Sequence, residues 1–122
     1  MAGLDRRKRA GNYGETAVTG YLAAKGYEIL ARNYRAWGGE IDIVAKDSDY
    51  IVFIEVKYRR QLAYGRPAEA VTHKKRRAII AAAYGYLAEY CRGDENCRFD
   101  IIEVFGREQL TINHIENAFG EN

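Results

Sequence analysis

The run Ile51-Val52-Phe53-Ile54-Glu55-Val56-Lys57 constrains this chain more than any other stretch. Its β-branched and aromatic residues favour extended backbone, and residues 50–58 form the strongest strand signal in the sequence. Side chains alternate faces with period two, so Glu55 and Lys57 emerge together while Ile54 and Val56 go to the opposite layer. An acid and a lysine at the end of so apolar a strand are costly unless they meet a partner, a metal or water.

The flanking pattern places this strand in an α/β fold. Val18, Tyr21, Leu22 and Lys25 fall at helical spacing, which predicts a helix over residues 12–25, with Asn12 suited to cap its start and Gly26 its end. Glu15 lies beside that apolar stripe, where it either caps the helix N-terminus, favoured by the dipole, or points into a site. Residues 27–34 are rich in β-formers, and a turn follows at Trp37-Gly38-Gly39. Glu40 and Asp42 then alternate with Ile41 and Ile43, predicting a strand that carries the two acids on one side and the two isoleucines on the other. With residues 46–49 as the next turn, three strands form an antiparallel meander. After a loop over residues 59–66, Pro67 can open helical structure. Ile79, Ile80, Ala83, Leu87 and Tyr90 then mark a long helix ending near Arg92. Strands are expected near residues 98–105 and 110–115. The second helix crosses between the third and fourth strands, which makes those two parallel. The order is αβββαβ with a trailing β.

With 122 residues, 48% of them hydrophobic and 30% charged, the chain suits one globular domain. No Pro-rich linker, repeat or low-complexity tract interrupts it, so residues 12–119 read as a single domain behind a basic arm at residues 1–11. Residues 78–88 form the longest apolar stretch, about half of what a bilayer span requires. Arg6, Arg7, Lys8 and Arg9 precede no apolar segment of the secretory kind, so a cytoplasmic location without membrane association is expected. The net charge is only +2, so its distribution matters more than its total, and basic residues cluster at 6–9, 57–60 and 73–77. Cys91 and Cys97 are the only two cysteines. With His73 and His114 unable to complete a four-ligand set, they read as half-buried free thiols. Gly11 and Gly14 are too closely spaced for a phosphate-binding loop.

The meander brings Asp42 near the level of Glu55 or Lys57. Two carboxylates about 4 Å apart repel by roughly 1–4 kcal/mol, which invites a divalent cation. Asp42, Glu55 and the backbone carbonyl of Val56 are oxygen-only ligands, suited to Mg²⁺ or Mn²⁺ rather than zinc. Such a metal could polarise a phosphodiester and acidify a bound water, while Lys57 adds fixed positive charge where the phosphate becomes more negative. The bland alternative is a plain exposed Glu-x-Lys pair contributing a few tenths of a kcal/mol.

Several separate segments carry a resemblance. Gly14-Glu15, Asn33-Tyr34-Arg35, Gly39-Glu40-Ile41-Asp42, Phe53-Ile54-Glu55-Val56-Lys57, Arg98-Phe99-Asp100 and Ile115-Glu116-Asn117-Ala118-Phe119 resemble the uncharacterised bacterial YraN-like family. That family is assigned to the PD-(D/E)XK nuclease superfamily and is similar to archaeal Holliday-junction resolvases. The resemblance spans residues 11–119 and implies a restriction-endonuclease-like fold, a central mixed sheet flanked by helices. It implies that Asp42 matches the superfamily's metal-binding Asp, that Glu55 and Lys57 match the (D/E)-x-K pair, and that Glu15 matches a helix glutamate of the resolvase-like branch. Asp42 follows Ile41 where the superfamily motif has proline. By the same resemblance the protein is expected to be a Mg²⁺- or Mn²⁺-dependent endonuclease acting on DNA, including branched repair or recombination intermediates, and to form a homodimer.

Arg59, Arg60, Lys74, Lys75, Arg76 and Arg77 would flank such a site and contact nucleic acid, about half of them directly, because a helix turns some away. Tyr58 and Tyr64 either stack on the substrate or pack against the protein. Trp37 is either a partner surface or a lid over the hairpin. Two other functions compete with the nuclease: a non-catalytic nucleic-acid-binding module of the same fold, and an interaction protein whose acidic cluster is a residual ion network.

Overall fold

The computed structural model describes residues 6–59, 71–106 and 108–120, with side chains from Gly14 onward. The elements run α1 (Arg6–Ala24), β1 (Glu28–Ala36), β2 (Gly39–Asp47), β3 (Tyr50–Arg59), α2 (His73–Tyr90), β4 (Asn96–Phe105) and β5 (Thr111–Phe119). The five strands form one sheet in chain order. All neighbours pair antiparallel except β3 and β4, which are parallel across the α2 connection. The αβββαββ order and the parallel central pair are those expected. The result is an α/β fold with a mixed sheet between two helices, consistent with restriction-endonuclease-like architecture.

Alternation along β3 sorts the core into two layers. Val52, Ile54 and Val56 join Val18 and Leu22 of α1, together with Ile43, Ile102 and Val104. Ile51 and Phe53 face the other way, onto Ile79, Ala82, Ala83 and Tyr86 of α2. Val18 and Leu22 have no exposed surface, and burying each stabilises the docked helix by about 1.5–3 kcal/mol. At the end of α1, Gly26 has φ 91°. The Tyr27 N–H bonds the Leu22 carbonyl and the Gly26 N–H that of Ala23, a left-handed helix cap that seats Tyr27 against Leu22.

Two expectations need correction, and a third lies outside the described residues. Helix α1 starts at Arg6 instead of Asn12, so neither Asn12 nor Glu15 is at its N-terminus and neither caps it. Helix α2 is capped by Thr72, whose hydroxyl accepts from the Lys75 N–H at 3.1 Å; Pro67, proposed to open helical structure, lies outside the described residues, as do Arg60 and Tyr64. In β2, Ile41 packs in the α2-side layer and Ile43 in the α1-side layer, so the two isoleucines do not share a side. The strand turns over at Asp42, opposite Asn33 of β1, which has φ 52°.

At one end of the sheet, Arg98, Asp100, His114, Tyr21 and Tyr27 form a connected polar network. Asp100 is wholly buried. It accepts from Arg98 Nε at 3.0 Å and from the Asn117 N–H at 3.0 Å, and its Oδ2 lies 2.7 Å from His114 Nε2. His114 Nδ1 is 3.0 Å from the Tyr21 hydroxyl. The network ties α1 to β4 and β5 and explains the Arg98-Phe99-Asp100 motif as structural. Cys91 and Cys97 are free, half-buried thiols.

Candidate active site

The β2–β3 ladder runs from Asp47 and Tyr50 at the turn to Ile43 and Ile54. One further step of that register sets Asp42 opposite Glu55. Backbone pairing stops there, and the Val56 N–H instead donates to Asp42 Oδ2 at 2.8 Å. The aspartate side chain thus takes the place of a strand carbonyl, because the reversal at Asp42 swings its carboxylate across the gap between the strands.

Glu55 is 5% exposed and lies on the α2 side of the sheet. Its Oε2 is 3.6 Å from Lys75 Nζ in the first turn of α2. Burial pushes the Glu55 carboxyl up to about 8. A hydrogen bond with Asp42 and the Asp42 charge push the same way, while Lys75 and Lys57 pull it down. One proton held between two acids relieves the repulsion that two charges would carry. Asp42, Glu55 and Lys57 therefore come together at one end of β3, as the sequence leads one to expect.

Glu15 does not join them. It sits in the third turn of α1, and its Oε2 pairs with Arg32 Nη2 of β1 at 2.7 Å. Tyr58 lies between: a Cβ on Gly14 would overlap its ring, so the absence of a side chain at Gly14 lets α1 approach β3. Burial, then the charges of Glu15 and Asp42, push the Tyr58 hydroxyl up, with Arg32 opposing. The tyrosine packs against the helix. Among the described residues, no three His, Cys, Asp or Glu side chains converge closely enough to hold a metal, so the acidic set is a pair.

The basic residues divide by role. Arg59 donates through Nε to Glu103 Oε2 at 2.6 Å. Arg76 donates to the Val71 carbonyl at 3.0 Å and lies over the Phe119 ring. Both are engaged in holding the fold. Lys74 and Arg77 are exposed on α2, and Lys75 reaches the acid pair.

Two participants escaped the sequence reading. The basic run 73–77 groups Lys75 with nucleic-acid contacts and not with Glu55, whose proximity only the docking of α2 creates. Glu103, 1% exposed, is the parallel partner of Lys57 on β4. Its signal was available: an acid at an inward-facing position of an apolar strand, as with Glu55.

A family profile, the uncharacterised protein family UPF0102, matches residues 14–104. That span runs from the Gly14 contact through α2 to β4 and includes Asp42, Glu55 and Lys57. A UPF0102 protein of Clostridium acetobutylicum is 47% identical over 115 residues, covering 92% of this chain and 94% of the relative. One from Clostridioides difficile is 46% identical over 112 residues, with 92% and 97% covered. One from Symbiobacterium thermophilum is 46% identical over 116 residues, again with 92% and 97% covered. On this agreement along nearly the full length of both partners, the chain belongs to the UPF0102 family.

Proposed function

We propose that this protein is a Mg²⁺- or Mn²⁺-dependent endonuclease of the PD-(D/E)XK type that hydrolyses phosphodiester bonds in DNA, with branched or repair and recombination intermediates as candidate substrates. The observation that carries the proposal is the Asp42–Glu55 pair, in which the buried Glu55 carboxyl is pushed up to about 8, with Lys57 and Lys75 beside it. A fold that holds two acids this way favours a cation that replaces the shared proton.

The donor chemistry fits a hard divalent ion. Asp42, Glu55 and the Val56 carbonyl would hold it, leaving its other positions to water and substrate oxygens. Bound there, the ion neutralises charge on the phosphodiester and acidifies water. The chain's own residues supply the rest. Lys57 places a positive charge where the phosphate gains negative charge. Lys75 balances Glu55, and its position on α2 next to Lys74 lets the same helix hold the DNA backbone. The Val56 N–H fixes the Asp42 carboxylate so that it does not have to be ordered on binding.

The test is a cleavage screen over branched, flapped, nicked and linear DNA with Mg²⁺ or Mn²⁺, run beside Lys57→Ala. Cleavage lost in that variant supports the proposal; no cleavage, with no metal binding by calorimetry, refutes it. One observation favours a second reading. Lys75 and Arg32 already pair with Glu55 and Glu15 within the protein, which leaves less unbalanced charge for a cation to offset, as in a non-catalytic nucleic-acid-binding module. That reading predicts salt-dependent DNA binding that persists in Asp42→Asn and Glu55→Gln, with no cleavage by the wild type.

A further inference from the structure

Trp37 occupies an unusual position for the chain's only tryptophan. It is the first residue of the two-residue turn joining β1 to β2, where Ala36 pairs with Gly39. Trp37 and Gly38 have φ 53° and 82°. Such a turn favours Asn-Gly, and a bulky side chain is disfavoured at positive φ. The position also leaves the residue 66% exposed. Neither folding nor burial accounts for tryptophan here, and such an outlier is a pointer to function.

The ring is nonetheless held. A Cβ on Gly85 of α2 would lie 3.2 Å and 3.3 Å from Trp37 Cδ1 and Nε1, so the pyrrole edge rests on that glycine. The turn itself is seated by Gly39, where a Cβ would overlap the Ala78 carbonyl. Beside the indole lies an open groove of about 490 Å³, lined by Arg35, Trp37, Gly39, Glu40, Lys75 and Ala78 among others. Arg35 is exposed and loosely paired with Glu40 at 3.5 Å. Lys75 belongs both to this groove and to the acid pair, through Glu55. The groove is therefore continuous with the candidate active site. It offers a fixed aromatic face, two cations against one carboxylate, and room for a nucleotide.

We infer that this groove is a subsite for an unpaired nucleotide, with its base stacked on Trp37 and its phosphates toward Arg35 and Lys75. Stacking on an aromatic face recognises any base that is free of its partner and excludes bases held within a duplex. The inference rests on the nucleic-acid reading above and narrows the substrate to one with a single-stranded or unpaired segment.

Trp37 is its own reporter. The full-length protein, without divalent metal, is titrated with single-stranded DNA, single-stranded RNA and blunt duplex DNA while tryptophan emission is followed. Quenching by the single strands, and tighter binding of them than of the duplex, are expected; the DNA and RNA arms show which sugar is accepted. With fluorescein-labelled strands, Trp37→Ala and Trp37→Leu are expected to weaken single-strand binding about ten-fold and erase the preference, while Trp37→Phe restores most of it. Absence of quenching, or a wild-type preference retained in Trp37→Ala, overturns the subsite. Metal-dependent cleavage of DNA together with either of those results overturns the subsite alone and leaves the nuclease standing. Quenching and preference without cleavage of any substrate leave the subsite and remove the nuclease.

Discussion

A single carboxyl group, Glu55, sets the pH behaviour expected of the protein. Its folded value of about 8 lies above the ordinary 4.5, so the folded state holds the proton more tightly than the unfolded chain. Stability from this group is fully present below about 4.5 and is lost as pH rises through about 8. Glu55→Gln keeps a neutral side chain throughout. Its melting temperature relative to the wild type is therefore expected to climb between these two pH values, as thermal scans in matched buffers would record. A constant difference across that range would show that Glu55 does not hold the proton. If the acid pair takes up Mn²⁺, the metal-induced rise in wild-type melting temperature grows over the same interval, because the ligand must lose its proton first. Asp100 behaves oppositely. Burial alone would raise its pKa, but hydrogen bonds from His114, Arg98 and the Asn117 N–H outweigh burial and lower it. Its contribution is present above the unfolded value of about 3.8 and fades as acid protonates the folded form. Asp100→Ala leaves the Arg98 guanidinium without its most buried partner, and urea denaturation should show a loss of about 3 kcal/mol.

At the level of elements, the hairpin of β1 and β2 is pinned to α2 by close backbone approach. Gly39→Ala puts a methyl group into the Ala78 carbonyl, which is backbone and cannot rotate aside. A loss of about 1–3 kcal/mol is expected in denaturant titration. The same displacement carries Trp37 and β2 away from Lys75. Which elements could be read in advance follows from what each one buries. Strand β3 and the α1 stripe of Val18 and Leu22 announce themselves because their apolar residues repeat at the strand or helix period. The opening of α1 does not announce itself, because residues 6–11 carry charge and glycine without such a repeat. Strand β5 continues to Phe119, past the expected end at 115: Asn117 takes φ 52° within the strand and gives its N–H to Asp100, a contact with β4 that strand periodicity does not encode. For the candidate site, the Asp42–Glu55 proximity follows from two strands and one turn, so local reasoning reaches it. The Arg32–Glu15, Lys75–Glu55 and Arg59–Glu103 pairs depend on how distant elements dock, which periodicity does not encode.

For the molecule as a whole, the small net charge conceals an uneven surface. Acids at Asp47, Glu103 and Glu116 lie within ion pairs, while Lys74 and Arg77 stand exposed on the helix that borders the acid pair. A nucleic acid that follows this helix meets those cations first. Under the proposed function, Lys74→Glu and Arg77→Glu are each expected to weaken duplex binding, and neutral Gln at either position should reduce the log–log salt slope by about 0.9. Anisotropy titrations at several salt concentrations check both, and an unchanged slope would move the binding face elsewhere. The sheet that supports this surface has its own history. Tyr50–Arg59 pairs with Asn96–Phe105 only after the chain has passed through α2, whereas the first three strands close through short turns. During synthesis from the N-terminus, β3 must therefore wait with one bare flank for a strand made much later. Its apolar run is then an adhesive seam, and the moment between the meander's appearance and the arrival of β4 is when this protein is most exposed to sticking to its neighbours.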